Sequence, residues 1–330
     1  MSQKIIFSGI QPSGNLHLGN YLGSIANWIE LQNKHSCIFG IMDLHAITVP
    51  QEPKELQQNV VDCAITYLAC GLDPKKSIIF TQSAVKEHAE LAWILSCLTP
   101  LGWLNRMTQF KDKTKSDKQN LEKLGLYAYP TLMASDILLY NTDLVPTGED
   151  QKQHVELTRD IAGAFNREYK KEYFKLPEPM IMGECTRIMS LTDGTNKMSK
   201  SDESDLSRIN LNDNVDLIRK KIKKAKTDSQ AIISYDKNRS EIFNLLNIFA
   251  YFSKKKPEEI AREYENSGFG KFKGDLADII VTELEPIHSK INELKNNLDY
   301  VKQILKNGEV KAREIANSNM VKIKQIVGLS

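Results

Sequence analysis

Long apolar runs are missing from this 330-residue chain. No stretch reaches the roughly 18 to 20 apolar residues that a membrane-spanning helix needs, and the N-terminus lacks an apolar signal core. No membrane association is expected, and the cytoplasm is the expected compartment. Cysteine is scarce as well: Cys37, Cys63, Cys70, Cys97 and Cys185 sit in mostly apolar surroundings without a tight pairing pattern. They read as buried free thiols of a reducing compartment. Cys63 and Cys70 share one helical pattern with no His or second close pair nearby, which argues against a metal site. Net charge is only +2, although residues 203–330 carry 23 Lys/Arg against 19 Asp/Glu. So slight a basic bias attracts a polyanion weakly and fits a solvated face equally well. DNA is not an expected partner.

What is present is a rhythm. Ile5 to Phe7 reads as a strand, a Gly/Pro/Ser/Asn cluster follows, and Tyr21 to Leu31 carries apolar residues at helical spacing. A glycine-rich turn feeding a helix N-terminus suits an anion, with His17 as a donor at the opening, but Gly and Ser also serve such turns for steric reasons alone. Cys37 to Met42 is a second strand that delivers Asp43 and His45 at its carboxyl end, where open parallel sheets place ligands. Pro53 starts a helix that runs toward Gly71. Ile78 to Phe80 is the next strand and His88 to Leu98 the next helix. The alternation βαβαβ predicts an α/β fold with right-handed crossovers and helices on both faces of a parallel sheet.

Residues 99–128 break the pattern, and the lysine-rich stretch 111–118 reads as a mobile surface loop. Leu132, Met133, Ile137, Leu138 and Tyr140 then form an apolar helix interrupted by Ser135 and Asp136. A carboxylate among such neighbours either faces water or has a dedicated donor. Val145 to Gln151 reads as strand end, turn and helix start, and Arg187 to Leu191 as a last strand. Beyond about residue 205 the pattern is helical: Asp213 to Lys224, Glu241 to Phe252, Pro257 to Tyr264, Lys273 to Leu284 after a turn at Gly268 to Gly270, and a mostly helical end from Ile287 interrupted at Gly308. The lysines at 220, 221, 223, 224 and 226 are either a backbone contact for nucleic acid or a solvated helix face.

The pair His17-Leu18-Gly19-Asn20 and Lys197-Met198-Ser199-Lys200-Ser201 resembles the two signatures, HIGH and KMSKS, of class I aminoacyl-tRNA synthetases. FSGIQPSG (7–14), MTQFK (107–111), YPTLMASDILLYN (129–141) and VPTGEDQKQHVELTRD (145–160) are similar to bacterial tryptophanyl-tRNA synthetases over essentially the whole chain. The resemblance implies a Rossmann-like doubly wound catalytic domain over residues 1–202. It would carry an inserted helical segment around 99–128 and the KMSKS loop at its end. Residues 203–330 would form an all-helical anticodon-binding domain whose last helix packs back on the first.

The resemblance also implies ATP-dependent ligation of L-tryptophan to tRNA(Trp) through an adenylate, a homodimer, and Mg²⁺ carried with the nucleotide without a protein metal site. Gln11, His17, Lys113, Lys197 and Lys200 would assist the chemistry. ATP would meet Gln11, Pro12, Ser13, Gly19, Asn20, Gly148, Glu149, Asp150, Ile188, Met198, Ser199 and Ser201 as well as the two lysines. Tryptophan would meet Phe7, Gly9, His45, Tyr129, Met133, Asp136, Val145, Thr147 and Gln151, with Asp136 accepting the indole N–H. Two departures stand out, Asn20 in place of the final His of the first signature and Thr147 where a small apolar residue is common. No Cys follows residue 185, which excludes the C-terminal iron–sulfur cluster of some members. The rival readings are a tyrosyl-tRNA synthetase and a nucleotide-binding relative without catalysis.

Overall fold

The computed structural model describes residues 3–107, 123–148, 151–181, 187–200, 202–230 and 232–329. Lys113, Glu149, Asp150, Cys185 and Ser201 lie outside these described residues. Strands β1 (Ile5–Ile10), β2 (Ser36–Ile41), β3 (Ser77–Thr81), β4 (Leu144–Thr147) and β5 (Glu178–Ile181) form one parallel sheet in the order β3-β2-β1-β4-β5. Because side chains alternate along a strand, Ile6, Phe39, Ile41 and Ile79 enter one core while Phe7, Ile38 and Phe80 enter the other. The expected two-faced α/β sheet is therefore present. Its order reverses between β1 and β4, the place where a doubly wound sheet opens a crevice at its carboxyl ends.

Crossovers α4 (Pro53–Ala69), with proline at its first turn, and α5 (Glu87–Ser96) supply the covering layers on opposite faces. The helix expected over Tyr21–Leu31 begins earlier and is composite: α1 (Leu18–Asn20), a π turn over Tyr21–Ile25 and α2 (Ala26–Leu31). Wide π turns of this kind mark functional helices more often than plain ones. Short helices α3 (Asp43–Ala46) and α6 (Leu101–Leu104) follow β2 and α5. Helix α7 (Leu124–Leu138) carries Asp136, and α8 (Lys152–Glu168) follows β4.

The C-terminal part is helical: α9 (Val215–Lys224), α10 (Ser240–Ser253), α11 (Pro257–Tyr264), α12 (Gly268–Lys295) and α13 (Leu298–Val327). One apolar cluster runs without a break from Ile6 and Trp28 to Ile222, Leu245 and Leu284. Among the described residues no helix is long and apolar enough to cross a membrane.

Several local expectations are corrected. Residues 187–191 are not a strand of the sheet; that edge position is taken by Glu178–Ile181, where Pro179 can sit because an edge strand does not need every N–H. Gly268 opens α12 and Gly270 lies within it, and the helix continues through Pro286. Gly308 interrupts nothing, since a Cβ there would lie 1.8 Å from the carbonyl oxygen of Ile79, so glycine is what lets α13 lie against β3. Lys221 is not on a solvated face but fully buried, and Cys97 is exposed where a buried thiol was expected.

Candidate active site

The first turn leaves β1 at the switch point. Backbone pairing fixes it on the far side: Leu18 N–H donates to Ile209 O (2.8 Å), Leu211 N–H to Leu16 O (2.8 Å), and His17 bridges Asn210. His17 is thus held in extended backbone at the start of α1 (φ −116°, ψ 172°), with its ring buried. Its Nδ1 has no hydrogen-bond partner among the described residues. Burial first, then the nearby charges of Lys200, Arg208 and Lys197, lower the pKa of His17 to about 3. The imidazole is neutral at physiological pH and offers a hydrogen bond rather than a charge. Asn20, in place of the signature's His, secures the backbone of this turn, because its Oδ1 accepts the backbone N–H of His17 at 3.1 Å. A Cβ at Gly19 would come within 3.0 Å of the His17 ring and 3.5 Å of Met198, so glycine permits the close approach of the two motifs.

Residues 187–191, strand-like in composition, are used differently. Ser190 N–H donates to Asn196 O (2.8 Å) and Met198 N–H to Ile188 O (3.0 Å), making a small antiparallel hairpin that carries Lys197 and Met198. Asp193 closes its turn by accepting from Thr195 N–H (3.0 Å) and the Asn196 amide (2.8 Å). Asn244 of α10 completes it like a third strand. Its side chain donates to Met189 O and accepts from Met189 N–H, both at 2.9 Å. Ile188 and Met198 are buried, and Lys200 Nζ reaches Gln11 O at 2.9 Å. Burial lowers the Lys200 pKa to about 8.

A second group of side chains lies behind the carboxyl ends of β1, β2 and β3. Gly9 and Gly40 pair in register, and a Cβ at Gly9 would come within 2.7 Å of Gly40 O and of Met42. Asp136 is buried on α7 and bonded from three directions: His45 Nε2 (2.7 Å), Gln82 Nε2 (2.7 Å) and His88 Nδ1 (2.6 Å). Burial by itself would raise its pKa, but its hydrogen-bonded contacts with His45, and then with His88, outweigh that and hold the carboxyl below its ordinary value. Tyr129 lies edge-on to His45 at 6.2 Å and bonds His154 Nε2 at 2.8 Å. Phe7 stacks on Tyr140 at 5.5 Å, Val145 and Thr147 are buried at the end of β4, and Met133 is half-buried on the helix that carries Asp136.

Gln11, His17, Gly19, Asn20, Ile188, Lys197, Met198 and Lys200 therefore belong to one assembly, and Phe7, His45, Tyr129 and Asp136 to a second. Gln82, His88 and Asn244 join them without having been marked by any motif, and Tyr140 joins them from a segment that carried the resemblance but gave it no role. The signal for Gln82 was available, because it directly follows Thr81, the last residue of β3, where the same strand-end rule pointed to His45.

A doubly wound sheet with a neutral histidine turn at its switch point, faced by a lysine-bearing hairpin, defines a class I aminoacyl-tRNA synthetase. The family model described as tRNA synthetases class I (W and Y) matches residues 2–285. A tryptophan–tRNA ligase of Rickettsia bellii is 56% identical over 327 residues, covering 99% of both chains. The crystal structure of tryptophanyl-tRNA synthetase from Mycoplasma pneumoniae superposes with a TM-score of 0.90 at 36% identity, over 100% of this chain and 99% of that one. The Campylobacter jejuni tryptophanyl-tRNA synthetase, solved with ADP and tryptophan, gives 0.84 at 37% identity, over 98% and 100%. The chain belongs to the class I tRNA synthetases for tryptophan and tyrosine, among the bacterial tryptophan–tRNA ligases.

Proposed function

We propose that this chain activates L-tryptophan with MgATP and transfers it to tRNA(Trp). The tryptophan carboxylate attacks the α-phosphorus, pyrophosphate leaves, and a hydroxyl of the terminal adenosine then takes the aminoacyl group from the adenylate. Neither step needs a side-chain nucleophile. Orientation and stabilisation of charge on the departing pyrophosphate are what the protein supplies. Lys197 and Lys200 provide that charge, while neutral His17 donates a hydrogen bond at the turn. Magnesium enters as part of the nucleotide substrate.

The observation that carries the amino-acid assignment is Asp136. An indole has one N–H and no acceptor, and a buried carboxylate on an apolar helix is its complement. Phe7, Met133 and Val145 flank the ring in this reading, and Tyr129 and Gln151 lie toward the amino-acid backbone. Residues from about 203 onward engage the tRNA, supported by the exposed Lys220, Lys223 and Lys224 on α9. A homodimer is part of the same proposal. Trp93, Leu101 and Leu124 are 73%, 67% and 79% exposed on α5, α6 and α7, large apolar side chains that a second copy would cover. The free thiols of Cys37, Cys63 and Cys70 suit a cytoplasmic site of action.

Pyrophosphate exchange measured with each of the twenty amino acids tests the proposal. Exchange with tryptophan alone is the expected result, and exchange with tyrosine at a comparable rate would overturn it.

A further inference from the structure

Asp136 meets three donors, and their distribution between its two oxygens is unequal. Oδ1 accepts both Gln82 Nε2 and His88 Nδ1, whereas Oδ2 accepts only His45 Nε2. A carboxylate oxygen offers about two lone-pair sites, so Oδ1 is filled and Oδ2 has one site left.

Neither donor to Oδ1 is free to turn. Gln82 is fully buried, and its Oε1 accepts the N–H of Leu44 at 3.1 Å, which fixes its amide nitrogen toward Asp136. His88 is fully buried, stacks on Phe80 with centroids 5.6 Å apart, and places Nε2 2.8 Å from the Tyr140 hydroxyl. The ionised carboxylate of Asp136 can only accept, so His88 Nδ1 is the donor toward it, and the Tyr140 hydroxyl, kept protonated by burial, is the donor available to Nε2. Nε2 of His88 then accepts, with the ring proton on Nδ1 facing the carboxylate. The groups around Asp136 are His45 from α3, Gln82 from the turn after β3 and His88 from α5, with Tyr140 and buried Glu87 behind them.

We propose that Gln82 and His88 are positioning residues that set selectivity for a ring N–H, by filling one oxygen of Asp136 and leaving a single acceptor site on the other. The inference rests on the reading of Asp136 as the partner of the indole. A tyrosine hydroxyl could donate to that site, but its oxygen would find its nearest donors already bonded to Asp136. A buried polar group without a partner is the strongest basis on which a pocket rejects a near-isostere.

The test compares pyrophosphate exchange with tryptophan, tyrosine and the tryptophan analogue in which sulfur replaces the ring N–H, β-(benzothiophen-3-yl)alanine. In the unaltered enzyme the preference for tryptophan over the sulfur analogue should be on the order of 100-fold or more in kcat/KM. Gln82→Met removes one of the two bonds that hold Oδ1, so the carboxylate no longer keeps its open site aimed at the ring N–H. Tryptophan use should fall while use of the sulfur analogue, which makes no such bond, holds, narrowing the preference about tenfold and moving the acid limb of tryptophan use to higher pH. Thermal unfolding of both variants separates a folding defect from a change in the site, and Gln82→Glu keeps the side chain's shape and the contact with Leu44. It sets a second carboxylate beside Asp136, so tryptophan use should fall as pH rises and both groups ionise.

Equal losses for all three amino acids, with pH profiles unmoved in both variants, would reduce Gln82 to a structural role and overturn the proposal. Failure of the underlying reading looks different: Asp136→Leu, which has no acceptor, would then leave the preference for tryptophan over the sulfur analogue intact.

Discussion

Lys200 Nζ donates to the backbone carbonyl of Gln11 at 2.9 Å, so the second lysine of the late motif is seated on the residue that follows β1. Two stretches 189 residues apart thereby share one contact, and a nucleotide that draws on this lysine competes with a carbonyl oxygen for it.

The charge on Lys200 is sensitive to mild alkali. Burial holds its pKa at about 8, so the free enzyme loses this positive charge as pH rises through that value. The dissociation constant for MgATP should rise several-fold between pH 7 and pH 9. Lys200→Arg, whose guanidinium stays charged, should flatten that limb. Calorimetric titration at the two pH values checks it, and a limb of equal size in the arginine variant would exclude Lys200 as its source.

Asn244 satisfies both backbone groups of Met189 and so acts as the missing neighbour of the lysine-bearing hairpin. Asn244→Leu leaves those two groups without partners, at a cost of about 2 kcal/mol in stability. Since the hairpin carries Lys197, KM for ATP should rise about tenfold while tryptophan binding hardly changes. Steady-state exchange kinetics set against equilibrium tryptophan binding separate the two. A parallel loss in both would mean the hairpin does not act on the nucleotide side.

Lys221 bonds Asp213 at 2.6 Å and Asp205 at 2.7 Å from a fully buried position. Asp213 in turn accepts the N–H of Asn210, in the segment that pairs with His17. Lys221→Met leaves the buried Asp213 without its countercharge and should cost about 3–5 kcal/mol. Adding Asp213→Asn removes the orphaned charge and should recover part of that loss. Denaturant unfolding of the single and double variants gives the comparison, and additive losses would show that the two charges are not coupled.

Chemistry that is written locally is legible in the sequence. The glycine-rich turn with His17, the lysine pair and the carboxylate in an apolar helix are each visible in a short window, and the βαβαβ rhythm follows from short apolar runs set between helical patterns. A residue whose meaning comes from a distant partner is not legible in the same way. Residues 187–191 have the apolar character of a strand, but composition does not say whether the neighbour is a sheet or the other arm of a hairpin. Gly308 is a helix breaker by propensity and a contact residue in fact, because the backbone of Ile79 lies against it. Lys221 belongs by spacing to a charged run, and only the fold brings Asp205 and Asp213 to it. His88 and Gln82 acquire their roles from a carboxylate some fifty residues downstream.

The seat of α13 on β3 bears on how the protein is made. β3 ends the sheet on one side, and the backbone contact at Gly308 shields that margin with a helix synthesised more than two hundred residues later. Asn319 on the same helix donates to Leu139 O at 2.8 Å, at the end of the helix that bears Asp136. During translation the nucleotide-binding half can build its strands but emerges with one margin of the sheet uncovered, and open margins invite pairing with other chains. Completion of the sheet's cover is therefore tied to the arrival of α13.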